Sequence, residues 1–147
     1  MCNQVKSKER VADFGEVNTS EREINAMLDL VKQETERLDS RFLEPACGDG
    51  NFLIEVLNRK LEILVKRYRK NQFEFERNSV GVVGSIYGID ILQDNANLAR
   101  DRLFKRFLEV YEKFFKKNLN KNLIKSIRFI IDKNIIHGDA LTLKQVN

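Results

Sequence analysis

Between Arg41 and Phe52 the chain reads Arg-Phe-Leu-Glu-Pro-Ala-Cys-Gly-Asp-Gly-Asn-Phe. A short apolar run enters this stretch, two glycines cross it, and a long amphipathic segment leaves it. That order predicts a strand, a tight turn and the start of a helix. Gly48 and Gly50 carry no Cβ, so a ligand can approach the backbone closely there. The first amides of a helix have no partner within it and would face such a ligand. Two glycines so spaced are by themselves a weak signal for a nucleotide-like site, and the neighbouring residues strengthen it.

With 147 residues, the chain suits one domain with a modest core. Apolar residues make up 42% and charged residues 33%, a globular rather than a disordered balance. No apolar run is long enough to span a bilayer and no secretory leader is visible, so no membrane partner and a cytoplasmic location are expected. Cys2 and Cys47 offer no disulfide framework. The single histidine leaves no zinc constellation. Charge is divided unevenly. Residues 1–55 hold 7 basic and 12 acidic side chains, whereas residues 56–134 hold 18 basic and 9 acidic. Such a basic half suits a polyanion partner, or simply a set of solvated helix faces.

Residues 1–20 read as an extended arm. Ser20 and Glu23 have capping-box spacing. The helix they open should bury Ile24, Met27, Leu28, Val31 and Leu38. A second helix from Asn51 should bury Leu53, Val56, Leu57, Leu61, Leu64 and Tyr68, with Arg59, Lys60, Lys66 and Arg67 on its outer face. Residues 71–79 read as a loop. Residues 80–92 contain the second strand, rich in β-branched residues from Val82 to Leu92, with Gly88 allowing close packing. Asp90 interrupts this apolar run and needs a partner. In nucleotide-binding α/β folds an acid at the end of the second strand accepts from ribose hydroxyls. The alternative is a cap for the next helix, a task for which Asp94 is better placed. Asp90 follows Gly50 by 40 residues, against about 20 in a compact unit. A helix over 94–117, a polar linker over 118–125 and apolar runs at 127–131 and 135–141 complete the chain. His137 reads as a packed strand-end residue.

The segment EPACGDGNF resembles the cofactor motif of the S-adenosylmethionine-dependent, adenine-modifying DNA methyltransferases of restriction–modification systems, usually close to DPACGSGNF. RVADFGEVNTS is similar to the arm RVADFGEVFTP of that family, with Asn18 and Ser20 as departures. GID at 88–90 and GDAL at 138–141 resemble its second and third motifs. The four segments occur in the family's order. The resemblance implies a Rossmann-like methyltransferase fold with a truncated, mostly parallel sheet flanked by helices. Residues 1–20 would be an arm over the cofactor, and residues 21–147 an incomplete cofactor-binding domain. It implies S-adenosylmethionine as cofactor, cradled by the backbone of Cys47, Gly48 and Gly50. Asp90 would hold the ribose, Asp139 the adenine amine, and Ala140 would flank the adenine ring. Thr19 would close the methionine end, with Glu44 near its ammonium. A dehydrogenase is a poorer match, because Leu53 stands where the third glycine of a dinucleotide fingerprint belongs.

The family's catalytic Asn/Asp-Pro-Pro-aromatic segment does not occur, since Pro45 is the only proline. The resemblance therefore implies the cofactor-binding part of a DNA methyltransferase, inactive by itself and completed by further chain or by a partner supplying the catalytic half. Two alternatives stand beside it. One is a non-catalytic remnant or interaction subunit, and the other a methyltransferase acting on RNA, protein or a small molecule.

Overall fold

A computed structural model describes residues 19–146. The arm expected over 1–20 lies outside the described residues except for Thr19 and Ser20. Ser20 caps α1 (Glu21–Asp29) through the expected box: its Oγ accepts from the Glu23 amide, and Glu23 accepts from the Ser20 amide, each at 3.2 Å. Ile24 and Leu28 are buried as the periodicity predicts, but Met27 and Val31 are exposed. The helix stops at Asp29, and Val31 becomes the N-cap of a separate short helix, α2 (Lys32–Glu36), so the period loses its phase there.

Strand β1 (Phe42–Glu44) leads through the glycine turn into α3 (Asn51–Tyr68). Residues 71–79 are not a loop. They belong to α4 (Gln72–Gly84), whose first turn is capped by Asn71, with its Oδ1 accepting from the Glu74 amide at 3.2 Å. Phe75, Ser79, Val82 and Val83 are its buried positions, which is helical spacing. Val82 and Val83 are β-branched and adjacent, and so imitate a strand. The true strand β2 is shorter, Ile86–Asp90. Helix α5 (Gln93–Phe115) buries Ala96, Ala99, Leu103, Phe107, Val110 and Tyr111 on one stripe, as expected. It ends in a 3₁₀ turn, Lys116–Asn118. The polar stretch read as a linker contains the start of α6 (Lys121–Asn134). Asn120 caps it, and Leu123, Ile127 and Ile131 form its buried stripe. Strand β3 (Ile135–Asp139) and a two-residue β4 (Lys144–Gln145) follow.

The fold is mixed α/β, with a four-stranded sheet in the order β1-β2-β3-β4. β1, β2 and β3 are parallel, and β4 turns back antiparallel on β3. Leu57, Val83, Ile86, Leu103, Ile131 and Ile135 meet around one point, so α3, α4, α5 and α6 converge on a single face of the sheet. Alternate strand residues supply that face, including Ile86 and Gly88 of β2. The opposite face, with Tyr87, Ile89 and Ile136, is only half-covered among the described residues, and Leu43 there is 61% exposed. Parallel sheets are ordinarily covered on both faces. Among the described residues, no helix is long and apolar enough to cross a membrane.

Candidate binding site at the carboxyl edge of the sheet

Because β1, β2 and β3 run parallel, their carboxyl ends share one edge, where ligands of open α/β sheets bind. Each of the three strands ends there in a carboxylate: Glu44, Asp90 and Asp139. The turn after β1 is pinned to β2 by backbone hydrogen bonds. The Cys47 amide donates to the Ile89 carbonyl at 2.8 Å, which continues the ladder past the end of β1. The Gly50 amide donates to the Cys47 carbonyl at 3.0 Å and closes the turn.

The two glycines do different jobs. Gly48, at φ +55°, has nothing within 4 Å of where a Cβ would stand, so it is the one that leaves room for a ligand. Gly50, at φ +93°, is the N-cap of α3, and a Cβ there would stand 3.1 Å from the Ala99 Cβ and 3.2 Å from its Cα. Its bareness lets α5 pack against the turn, which corrects the expectation that both glycines clear space for a ligand. A second close approach comes from β2. A Cβ on Gly88 would meet the Leu53 Cδ1 at 2.8 Å and the Cys47 Sγ at 3.1 Å. Helix and strand thus come together over Gly88, with Leu53 in the helix position where a dinucleotide fold would place a glycine.

Asp90 is the hub of the turn. Its Oδ2 accepts from the Gly48 amide at 2.9 Å. Its Oδ1 accepts from the Leu92 amide at 2.9 Å and from the Asn95 side-chain amide at 3.4 Å. Asp94 does not cap α5 and so does not release Asp90, as the sequence suggested. The N-cap is Leu92, and Asp94 Oδ1 accepts instead from the neighbouring Asn95 amide. Asp90 is buried, and these three hydrogen bonds take up most of the about four acceptor positions of a carboxylate.

Thr19, Glu44, Cys47 and Gly48 line one open cleft of about 120 Å³, joined by Met27, Asn51 and Phe52. Glu44 Oε1 accepts from the Ala46 amide at 3.2 Å. Among the described residues no side-chain cap bond closes the first turn of α3 and no acid lies in that turn, so the positive end of its dipole faces the Asn51–Phe52 wall. Gly50, Asp90, Asp139 and Ala140 do not line this cleft. Asp90 pairs with His137, so Asp139 lies two residues farther along the next strand, where its Oδ1 accepts from the Leu141 amide at 2.9 Å. His137 has a ring nitrogen 2.9 Å from the Ile91 carbonyl, in keeping with a packed residue.

The Cys47 thiol is pushed up to about 12, first by burial and then by the charges of Asp90 and Glu44. It stays protonated and is no nucleophile. Arg102 escaped the sequence reading. It donates at 2.8 Å both to the Asp49 carbonyl and to the Asn51 Oδ1, and its guanidinium stands 3.5 Å from the Asp49 carboxylate. It braces the turn from α5, 53 residues away in sequence; only its polar character was legible in a helix pattern. No protein-family model matches the chain, and no curated protein or solved structure matches it either.

Proposed function

We propose that the cleft binds S-adenosylmethionine and that the chain is the cofactor-binding portion of a Rossmann-like DNA adenine methyltransferase of a restriction–modification system. The observation that carries this reading is the combination of one open glycine, an uncapped helix start and three strand-end carboxylates on a single sheet edge. A dinucleotide pyrophosphate would meet Glu44, Asp49 and Asp90 with like charge. A ligand with a cationic centre, an amino-acid end and a ribose suits the same groups. Its carboxylate matches the open amides of α3, its ammonium matches Glu44, and a ribose hydroxyl reaching past Gly48 would match the one remaining acceptor position of Asp90 behind the cleft. Asp139 is the acceptor for an adenine amine and Ala140 the small neighbour of the ring, one strand beyond the cleft. Thr19 at the cleft mouth covers the amino-acid end. When bound, this cofactor supplies an electrophilic methyl group.

The 147 residues hold one proline and so no Pro-Pro-aromatic segment. In this reading the groups that accept the flipped adenine lie on other chain or on a partner, and the cytoplasm is the compartment where that DNA is found. Calorimetric titration of S-adenosylmethionine into the chain tests the proposal. Saturable binding is expected, and it should be lost in Asp90→Ala while the circular dichroism spectrum is kept. A folded chain that takes up no cofactor would refute it.

A further inference from the structure

Two stretches far apart in the sequence carry only one sign of charge. Residues 66–72 and 113–125 together contain 9 Lys and Arg and no Asp or Glu. The fold brings them together. The first spans the end of α3 and the start of α4, and the second runs from the end of α5 into α6. The Gln72 side-chain amide donates to the Asn118 carbonyl at 2.6 Å and joins the two turns. Behind this contact the Tyr111 hydroxyl donates to Glu76 and accepts from the Asn120 amide at 2.9 Å.

All nine basic side chains are exposed: Lys66, Arg67, Arg69 and Lys70 on one turn, and Lys113, Lys116, Lys117, Lys121 and Lys125 on the other. None of them makes an ion pair among the described residues. Some surface arginines elsewhere are matched, as Arg128 is by Asp101 at 2.9 Å and Asp132 at 3.1 Å. A concavity of about 340 Å³ opens at the junction, lined by Gln72 and Asn118, by Lys113, Lys116 and Lys117, and by the half-buried rings of Phe114 and Phe115. The 18 residues of α3 place this pole about 27 Å from the glycine turn.

We propose that this pole docks the phosphodiester backbone of a nucleic acid, as a contact separate from the cleft. Closely spaced, unpaired cations on a preformed surface gain affinity by releasing the counterions condensed on a polyanion. A bilayer surface is the weaker fit. Interfacial binding needs an apolar face beside the basic one, and Phe73, at 71% exposure, is the single strongly exposed large apolar side chain on this pole. The contact is independent of sequence and does not require the cleft to hold a cofactor.

Fluorescence anisotropy with a short labelled DNA duplex tests this at several salt concentrations. The chain should bind, with affinity falling linearly in log–log form as salt rises. Replacing Lys66, Arg69, Lys70, Lys116 and Lys117 by Gln should weaken binding at least about tenfold and reduce the salt slope by about 0.9 for each phosphate no longer neutralised. Arg at the four lysine positions should preserve binding. Gln at Lys32 and Arg37, outside the pole, should leave it unchanged. Thermal melts confirm that each variant is folded, and cofactor titration of the five-site variant separates this surface from the cleft. Three results would each overturn the proposal: no duplex binding at low salt, an unaltered salt slope in the five-site variant, or binding to phosphatidylserine vesicles in preference to duplex.

Discussion

Gly50 and Gly48 are two positions apart and both left-handed, yet their substitutions should differ. Alanine at Gly48 meets open space, so it bears only the cost of the left-handed backbone, about 1–2 kcal/mol. Alanine at Gly50 bears that cost and also presses on the Ala99 Cβ and backbone, for about 2–4 kcal/mol in all. Urea unfolding of the two variants should therefore rank Gly50→Ala as the less stable. Equal midpoints would show that the Ala99 contact relaxes freely. Both glycines were legible in the sequence as turn residues. Their division of labour was not, because it depends on α5, which packs against the turn from 49 residues farther on. The same holds for Asp90. Its need for a partner could be read from the apolar run around it, but the partner, the Gly48 amide, lies 42 residues away.

Lys60 shows how an element can override a residue's usual place. The outer face of α3 was expected to carry it, but the helix turns it toward the entry of β1, where it is 0% exposed. Its ammonium donates to the Leu38 and Ser40 carbonyls and to the Ser85 hydroxyl, and stands 5.4 Å from the centre of the Phe42 ring. It thus ties α3 to the amino-terminal entries of both β1 and β2. Burial lowers its pKa from 10.5 to about 8, against the opposing pull of Asp39 and Glu34. Between those two pH values the unfolded chain binds more protons than the folded one, so folding stability from this group rises with pH and is least below pH 8. The gain should be on the order of 1–3 kcal/mol across the window. Melting wild type and Lys60→Met from pH 8 to 10.5 isolates it. Relative to the variant, the wild type should gain stability as pH rises, and a constant difference would mean that the ammonium is not desolvated. The sequence failed in a related way at α4 and α6. Val82-Val83 and Ile130-Ile131 have strand-like composition, and only burial at helical intervals, from Phe75 to Val83 and from Leu123 to Ile131, decides the matter. Composition reports the preference of a residue, while tertiary packing selects the period.

At the scale of the molecule, α3 and α5 each start at the carboxyl edge of the sheet and run toward the basic pole, and α4 and α6 return from it. The glycine turn was legible because it depends on neighbours in sequence, whereas the gathering of Glu44, Asp90 and Asp139 on one edge depends on the parallel order of the strands. The pole was not, because it forms only when two helical hairpins meet. Tyr111 is the buried link between them, stacked 5.7 Å from Phe107 and 6.1 Å from Phe75, with its hydroxyl shared by Glu76 and Asn120. Burial, and then the hydrogen bond to Glu76, raise its pKa, so the phenol remains a donor through ordinary alkaline pH. Tyr111→Phe keeps the ring packing and removes only the hydroxyl. Asn120 is exposed and can turn to water, whereas half-buried Glu76 loses one of the two donors to its Oε1 and keeps the Gln72 side-chain amide at 2.9 Å. The expected cost is about 1–2 kcal/mol, or a Tm lower by about 2–8 °C for a chain of this size. Because the hydroxyl lies at the pole and not at the turn, amide exchange should quicken at the ends of both hairpins and stay unchanged at the glycine turn. A variant with wild-type Tm and wild-type exchange there would show that ring stacking and the Gln72–Asn118 hydrogen bond hold the hairpins together without the hydroxyl.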